Sequence, residues 1–388
     1  MKIKNLESAD LKNKIIVVRV DFNVPIENGK VSENTRIVES IPTLKFLLKK
    51  GAKRIHILSH LGRPKGVFDK NFSLKVILPD LEKLLKQKVE FRKDFTPGNS
   101  KIQLHENVRF HPGEKKNDPV FIQKLLKIKA DLFVNDGFAV SHRPHASVIG
   151  LASFLPAYPG FLVQKEVENL SPFLQSEKME GLSVIIGGVK IETKIGVLHH
   201  FCKTADNILI GGALANTFLA AQGFNVGKSF YEESELNTAR DILELAEKHN
   251  TGFHLPMDVI CADEINAIEK VDVPIEDVIG KMKILDIGMH SVKSYCEILQ
   301  HSKIIIWNGP MGCFEKTLFE MGTREILKII ASQKSAKTIL GGGDTLEALK
   351  TFGVDKSAFS HVSTGGGAML KFLEGKDLPG IEALSTNN

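Results

Sequence analysis

The sequence predicts an α/β protein with parallel β-sheets, divided into two lobes. Apolar runs rich in Val and Ile alternate along the chain with longer segments of helical period, which is the βαβ rhythm of a parallel sheet. The 388 residues exceed what one hydrophobic core usually organises, so two domains are expected. Polar or glycine-rich residues follow almost every predicted strand, and ligands of open α/β sheets bind at that edge.

The alternation predicts ten strands and several helices. Strands of the first half are expected at residues 15–21, 54–58, 89–91, 102–104 and 131–135, and helices at 37–49, 74–85 and 119–129. Strands of the second half are expected at residues 183–186, 207–210, 283–285, 303–307 and 338–340.

A break in this pattern separates the two halves. Residues 154–160 contain two prolines and a glycine, and residues 161–174 have the pattern of a helix. We expect a first lobe of residues 1–170 and a second lobe of residues 171–371. Residues 372–388 are too few to form a domain and are expected to pack back on the first lobe.

Two glycine triplets indicate anion-binding loops. Gly341-Gly342-Gly343 lies between an apolar run and a helical pattern, with Asp344 where an N-cap acceptor belongs. Glycines let the backbone approach a ligand, and the N–H groups at a helix start can hold a phosphate. A tight turn is the ordinary alternative for one such triplet. The second triplet, at residues 365–367, repeats the pattern at another predicted strand-to-helix junction.

Arginines are concentrated in the first half. Seven of the nine arginines lie in the first 150 residues, whereas 23 of the 32 glycines lie from Gly181 onward. Arg36, Arg63, Arg109 and Arg143 each lie at or beyond the end of a predicted strand. Any single arginine is more often a surface ion pair, but four on one edge would repel each other unless an anion neutralised them. Guanidinium forks suit carboxylate and phosphate, so a multiply anionic substrate is expected.

Two lysines follow one of the predicted strands. Lys190 and Lys194 follow a predicted strand and two glycines, and they would share one face if a helix began there.

Residues 223–229 resemble a Walker loop but have one residue too few between glycines, so we interpret them as a helix-ending turn. The absence of Gly-x-Gly-x-x-Gly, His-Glu-x-x-His and Gly-x-Ser-x-Gly argues against nicotinamide dinucleotide binding, metalloproteases and serine hydrolases.

Composition indicates a cytoplasmic globular protein. A net charge of +5 with scattered lysines makes nucleic-acid binding a weak alternative. No run of 18 apolar residues occurs. The four cysteines are widely spaced, which favours a reducing compartment and argues against structural zinc.

Five motifs together resemble the phosphoglycerate kinase family, in its order and over nearly the whole chain. They are Arg19-Val-Asp-Phe-Asn-Val-Pro25, His60-Leu-Gly-Arg-Pro64, Glu106-Asn-Val-Arg-Phe110, Trp307-Asn-Gly-Pro-Met-Gly-Cys-Phe-Glu315 and Gly341-Gly-Gly-Asp-Thr345. The first and fourth are long enough to be highly specific. The resemblance implies two Rossmann-like three-layer lobes joined by a hinge helix, whose closure brings the substrates together. It also implies reversible phosphoryl transfer from 1,3-bisphosphoglycerate to Mg-ADP, a step of glycolysis and gluconeogenesis.

The resemblance also assigns site residues by matching position. The three-carbon acid would be bound by Asp21, Phe22, Asn23, Arg36, His60, Leu61, Gly62, Arg63, Arg109 and Arg143. The nucleotide would be bound by Lys194, Gly211, Gly212, Ala213, Asn308, Pro310, Glu315, Gly341, Gly342, Gly343, Asp344 and Thr345, with Mg²⁺ on Asp344. Catalytic roles would fall to Arg36, Lys190, Gly365 and Gly366. The family resemblance further implies a monomer.

Three segments depart from the commoner family pattern. Residues 136–139 exchange the usual alanine and glycine, residues 289–291 replace a proline-led triplet, and Glu192 stands where a small hydroxyl residue is frequent. Glu192 lies between Lys190 and Lys194 in the sequence, so its charge is expected to weaken nucleotide affinity. Two alternatives stay open at this stage: a non-enzymatic nucleotide-binding protein that kept the fold, and an anion-binding protein that uses only the arginine-rich lobe.

Overall fold

The computed structural model describes residues 3–385, and the chain divides into two compact units. The first lobe consists of the chain up to Pro172 together with the chain from Lys376 onward. The second lobe is Phe173–Gly375.

The first lobe is built on a six-stranded sheet. Its strands and a small hairpin are β1 (Ile15–Arg19), β2 (Ile26–Glu27), β3 (Lys30–Val31), β4 (Arg54–Leu58), β5 (Glu90–Arg92), β6 (Ile102–His105), β7 (Leu132–Asn135) and β8 (Ala157–Pro159). The sheet has the order β5-β6-β4-β1-β7-β8, and all its neighbouring strands are parallel. The hairpin β2–β3 stands apart from it. Strand β8 lies inside the predicted break at residues 154–160, so that break still contributes an edge strand to the first sheet.

Five α-helices of this lobe lie within residues 3–172. They are α1 (Thr35–Lys49), α2 (Leu78–Leu85), α3 (Pro112–Lys116), α4 (Pro119–Leu126) and α5 (Phe161–Leu170). The predicted helix at residues 74–85 begins as a 3-10 turn, Leu74–Ile77, before α2 starts. The predicted helix at residues 161–174 likewise ends as a 3-10 turn, Ser171–Leu174.

Strand β1 shows how the sheet sorts its side chains. Ile16 and Val18 belong to the apolar core that also contains Ile37, Leu44 and Leu81 of α1 and α2. Because successive side chains of a strand point to opposite faces, Arg19 is directed to the other face of the sheet. Arg19 is fully buried there.

The second lobe contains a second parallel sheet and a small antiparallel one. Its strands are β9 (Leu182–Ile186), β10 (Asn207–Ile210), β11 (Gly252–His254), β12 (Asp258–Ala262), β13 (Val271–Pro274), β14 (Lys283–Ile287), β15 (Ile304–Asn308), β16 (Lys337–Gly341) and β17 (His361–Ser363). The large sheet has the order β11-β10-β9-β15-β16-β17 and is parallel throughout. Strands β13, β12 and β14 form the antiparallel sheet. The strand predicted at residues 283–285 therefore exists, but its expected place in the parallel sheet is wrong.

The helices of the second lobe are α6 (Ile195–Thr204), α7 (Gly212–Ala221), α8 (Leu236–Lys248), α9 (Met289–Gln300), α10 (Met321–Ser332), α11 (Gly343–Thr351) and α12 (Gly367–Leu373). Both glycine triplets connect a strand to a helix, as expected: β16 to α11 and β17 to α12. With two parallel sheets and flanking helices, the predicted α/β fold class is confirmed.

The chain returns to the first lobe after Gly375 and ends its described part with helix α13 (Pro379–Glu382). The Gly380 amide donates to the Ser141 carbonyl at 2.8 Å, and the Gly380 carbonyl accepts from Asn135 Nδ2 at 3.1 Å. The Lys4 amide donates to the Leu384 carbonyl at 3.0 Å. These bonds fix the returning segment beside the end of β7.

Candidate functional site

In the first lobe, the candidate site lies at the carboxyl edge of the parallel sheet. Strands β1, β4, β6 and β7 all end there, because parallel strands share one carboxyl edge. The loops after these strands carry Asp21 to Asn23, His60 to Arg63, Arg109 and Arg143, while Arg36 lies in the first turn of α1. The sequence therefore placed the arginines on the correct edge.

Asp21 is the acidic centre of this cluster. Its carboxylate accepts hydrogen bonds from the Arg36 guanidinium and, at 3.1 Å, from the Asn23 amide. Its Oδ1 lies 3.6 Å from Nδ1 of His60. Asp21 thus links residues from the β1 loop, α1 and the β4 loop.

Gly62 ties three loops of the site together. Its amide donates to Asn23 Oδ1 at 2.7 Å, and its carbonyl accepts from Arg109 Nη1 at 2.8 Å. Its φ of +63° is a conformation that glycine adopts without steric cost. The loop after β4 is thereby held between the loops after β1 and β6.

Like charges crowd this edge. Burial, together with the positive charges of Arg19 and Arg143, lowers the pKa of Arg109 to about 10, while Asp21 and Glu114 oppose this shift. Burial also lowers the pKa of His60 well below its ordinary value, with Arg19 and Arg109 acting in the same direction. His60 is therefore neutral, and the site favours an anion that would relieve the repulsion among the guanidinium groups.

Three predicted substrate residues differ from the others. The side chains of Phe22 and Leu61 are buried in the apolar core, so only their main-chain atoms are available to a ligand. The Phe22 amide is already bonded to Ser59 Oγ at 2.8 Å. Arg63 is exposed and forms no ion pair within residues 3–385, which leaves its guanidinium available.

In the second lobe, a cavity of about 300 Å³ lies at the carboxyl edge of the large sheet. Six of its lining residues are glycines, and it is also lined by Lys190, Lys194, Asn308 and Asp344. Closely packed backbone amides, two ammonium groups and a helix start make this cavity suited to phosphate.

The glycine loop before α11 has an unusual backbone. Gly342 has φ of +109°, and a Cβ on it would lie 2.9 Å from Asn308 Nδ2. The expected N-cap role of Asp344 is wrong, because Gly342 is the N-cap and Asp344 lies in the first turn of α11. A glycine in this conformation starts the helix without a side-chain acceptor, so the Asp344 carboxylate is left to face the cavity.

The two lysines do not share a helix face, because no helix begins between Lys190 and Lys194. Helix α6 begins at Ile195, so Lys194 is its N-cap and Lys190 lies in the exposed turn before it. The Lys194 side chain is buried, and its ammonium donates to the Gly187 carbonyl. Burial lowers the pKa of Lys194 to about 8, while the negative charge of Asp344 opposes that shift. Lys190 and Lys194 nevertheless line the same cavity.

A second cavity of about 500 Å³ adjoins the first and shares Gly188, Val189 and Asp344 with it. Its walls are mostly apolar and include Leu219, Val259, Leu285 and Met311. The predicted nucleotide residues on it are Gly212, Ala213, Pro310 and Glu315. A mainly apolar cavity that adjoins a smaller cavity suited to phosphate fits a nucleoside.

Four predicted residues line neither cavity: Gly211, Gly341, Thr345 and Gly365. Thr345 Oγ1 accepts from the Gly309 amide at 2.8 Å, so this side chain holds the loop after β15. The Gly365 amide donates to Ser363 Oγ at 3.1 Å. Thr345 and Gly365 therefore stabilise the loops near the cavities without lining either of them.

Sequence reasoning missed the apolar walls and some polar residues. Leu285 comes from the antiparallel sheet, whose position no motif indicated. Lys228 and Ser229 line the larger cavity, although their segment is a helix-ending turn after α7, as predicted. Arg19 begins the first of the five motifs, and its alternation with the core residues of β1 is the sequence signal that could have identified it as a buried polar residue.

Within residues 3–385, no helix is both long enough and apolar enough to cross a membrane. No group of three or more His, Cys, Asp or Glu side chains in that range could hold a metal ion.

Comparison with known proteins gives one consistent result. The family model described as phosphoglycerate kinase matches residues 6–376. Proteins named phosphoglycerate kinase from Pseudothermotoga lettingae and Pelotomaculum thermopropionicum are 44% and 40% identical, each match covering 99% of both chains.

Solved structures agree with the sequence relatives. The phosphoglycerate kinase structure from Coxiella burnetii has a TM-score of 0.88 at 38% identity and covers 100% of both chains. The structure from Pyrococcus horikoshii OT3 has a TM-score of 0.83 at 32% identity and covers 98% of each chain. Because the family model covers residues 6–376 and relatives of 40–44% identity cover 99% of the chain, the chain belongs to the phosphoglycerate kinase family.

Proposed function

We propose that this chain catalyses reversible phosphoryl transfer from 1,3-bisphosphoglycerate to Mg-ADP, giving 3-phosphoglycerate and ATP. The first lobe, which is the chain up to Pro172 and from Lys376 onward, binds the three-carbon acid, and the second lobe, Phe173–Gly375, binds the nucleotide. The observation that carries this assignment is the crowding of Arg19, Arg109 and Arg143 at one sheet edge, which an anionic ligand would neutralise.

The phosphoglycerate would be bound by the polar groups of that edge. Arg36, Arg63, Arg109 and Arg143 supply charge, and Asn23 and His60 supply neutral polar atoms. Asp21 holds Arg36 in place through their ion pair. A bidentate guanidinium matches both carboxylate and phosphate geometry, so this set suits a substrate that carries both.

The nucleotide phosphates would lie in the 300 Å³ cavity and the nucleoside in the 500 Å³ cavity. Lys194, the Gly342–Gly343 amides and the start of α11 would hold the phosphates. Asp344 is the only carboxylate among the residues that line the smaller cavity. A single carboxylate fits Mg²⁺ that arrives with the nucleotide, because Mg²⁺ is commonly bound by one or two carboxylates plus substrate phosphates. When bound, the ion would neutralise phosphate charge.

The transfer needs positioning and charge neutralisation rather than a general base. The group expelled from the acyl phosphate is a carboxylate, which needs no protonation near neutral pH. Arg36 and Lys190 would stabilise the phosphoryl group during transfer, with Gly365, Gly366 and α12 assisting. Since each substrate is bound by a different lobe, the lobes must close on each other, and closure would also exclude water. Small-angle scattering should detect a smaller radius of gyration only when both substrates are present.

The catalytic assignment is tested with two substitutions and matched controls. Arg36→Ala should abolish turnover, and Lys190→Ala should lower kcat by roughly 10² while both substrates still bind. Arg54→Ala, at the opposite end of β4, and Lys203→Ala, on the exposed last turn of α6, should retain kcat. The assay couples 3-phosphoglycerate and Mg-ATP consumption to a dehydrogenase. Near-normal kcat in either catalytic variant would refute its role.

We also propose a cytoplasmic monomer that binds neither membranes nor nucleic acid. Sedimentation velocity should give a single species near the monomer mass of 42.9 kDa. Retention of DNA or RNA at low salt that weakens steeply as salt rises would contradict the last point.

A further inference from the structure

A buried chain of polar groups lies beneath the substrate edge of the first lobe. Arg19 is fully buried, and its Nε donates to Ser147 Oγ at 2.8 Å. One terminal nitrogen of the same guanidinium donates to the Val20 carbonyl, and the other, Nη2, lies 3.2 Å from His60 Nδ1. Arg19 therefore connects a proposed substrate residue to the interior.

Ser147 and Glu114 fix the position of that guanidinium. Ser147 Oγ donates to Glu114 Oε1 at 2.6 Å, and the Ser147 amide donates to Glu114 Oε2 at 3.0 Å. Both residues are fully buried. A hydroxyl has one proton, and here it is given to Glu114, so the oxygen presents a lone pair to Arg19.

The same geometry determines where His60 carries its proton. A guanidinium has only donors, so the His60 Nδ1 that faces Arg19 must accept. A neutral imidazole that accepts at Nδ1 carries its hydrogen on Nε2. Asp21, the group that would favour a proton on Nδ1, lies 3.6 Å away, beyond a good hydrogen bond.

We propose that Ser147 and Glu114 are positioning residues that act through Arg19 to hold His60 in the Nε2–H tautomer. Within residues 3–385 the structure gives Nε2 of His60 no acceptor, so its N–H is available to an oxygen of the anionic substrate. This step rests on the proposed function for the identity of that substrate. In the other tautomer, Nε2 would direct a lone pair at the anion and weaken binding.

The tautomer is measured directly, without reference to activity. Protein labelled with ¹⁵N at histidine is examined by long-range ¹H–¹⁵N NMR, and the His60 signals are identified by their loss in His60→Gln. Wild-type His60 should show a protonated Nε2 and an unprotonated Nδ1. A proton on Nδ1 would overturn the proposal even if the enzyme were active with 3-phosphoglycerate.

The role of Ser147 is tested by a substitution and a double-mutant cycle. Ser147→Ala should populate the Nδ1–H tautomer and raise KM for 3-phosphoglycerate about tenfold, with kcat within about twofold. Ser153→Ala is the matched control, since that exposed hydroxyl only donates to the Ile149 carbonyl. In a His60→Gln background, Ser147→Ala should raise KM no further, because its effect is transmitted through His60.

The outcomes separate this proposal from the proposed function. Additive KM effects, or an unchanged tautomer and KM in Ser147→Ala, would overturn the positioning role. Loss of folding in Ser147→Ala, checked by circular dichroism, would leave the wild-type tautomer as the deciding measurement. A chain inactive with 3-phosphoglycerate but with His60 in the Nε2–H form would contradict the function and support the tautomer assignment.

Discussion

Two buried histidines in the first lobe should make its stability strongly dependent on pH. His56 of β4 and His105 of β6 are fully buried, stack on each other, and bring Nδ1 of His56 to 2.9 Å from Nε2 of His105. His105 Nδ1 lies 2.5 Å from the Asp94 carbonyl, which only accepts, so this nitrogen must donate. Nε2 of His105 is then the acceptor for His56, and the pair is neutral.

The magnitude follows from the pKa values. Burial lowers the pKa of His56 to about 3 and that of His105 to about 4, whereas both are near 6.5 in an unfolded chain. Between these values the unfolded state binds more protons than the folded state, so the free energy of unfolding falls as pH falls below about 6.5. At one pKa unit per ~1.4 kcal/mol, each histidine should cost ~2 kcal/mol at about pH 5, and the pair ~4 kcal/mol. That is a large part of the ~5–15 kcal/mol typical of whole proteins.

The test uses His56→Gln, because its amide can still donate to His105 but does not titrate. Urea unfolding followed by circular dichroism gives the free energy of unfolding at about pH 7 and pH 5. Between these two pH values the variant should lose ~2 kcal/mol less than the wild type. His301→Gln, which replaces an exposed histidine of the second lobe, should leave the wild-type loss unchanged. The single tryptophan, Trp307, lies in the second lobe, so its fluorescence follows that lobe separately. Equal losses in His56→Gln and wild type would refute the reasoning.

Three further predictions concern the second lobe and the returning segment. Because the pKa of Lys194 is about 8, kcat/KM for the nucleotide should fall about tenfold per pH unit above that value. Lys194→Arg should move this fall to higher pH, and a flat pH profile of the wild type would contradict the prediction. Burial raises the pKa of both the Cys313 and the Cys202 thiol, that of Cys202 to about 12, but Cys313 is less buried and lines the larger cavity, so it should react first with a thiol reagent. Mg-ATP should slow its reaction, and equal rates with and without nucleotide would place the nucleoside elsewhere. Gly380→Ala should lower the free energy of unfolding by about 1–3 kcal/mol, because the added Cβ would lie 2.9 Å from Ser141 Cα. An unchanged urea midpoint would show that the returning segment around Gly380 can shift without cost.

Local pattern was enough to predict most of the large parallel sheets. The strand predicted at residues 54–58 coincides with β4, and the one at 207–210 with β10, because buried parallel strands are continuous apolar runs. Strand β13 was missed because it is a short, exposed edge strand without a buried apolar run. Without β13 and β12, nothing indicated that residues 283–287 belong to a separate antiparallel sheet.

The candidate site shows the same division. Charged residues and glycines after strands were found because their chemistry is visible in single positions. The cap at α11 was assigned to Asp344 because acceptor side chains usually start helices, but the positive φ of Gly342 does so here. Hydrogen-bond partners that are distant in sequence carry no local signal. Arg19 and Ser147 are 128 residues apart, and Ser147 and Glu114 are 33 residues apart.

The return of the chain to the first lobe has a consequence for biosynthesis. All the residues of the second lobe, Phe173–Gly375, are translated as one uninterrupted stretch, whereas the partner of Asn135 at Gly380 leaves the ribosome only after that stretch. On a translating ribosome the amino-terminal lobe must therefore wait with the end of β7 uncovered while its neighbour is made. Chaperones that bind incompletely folded domains would have that interval in which to act.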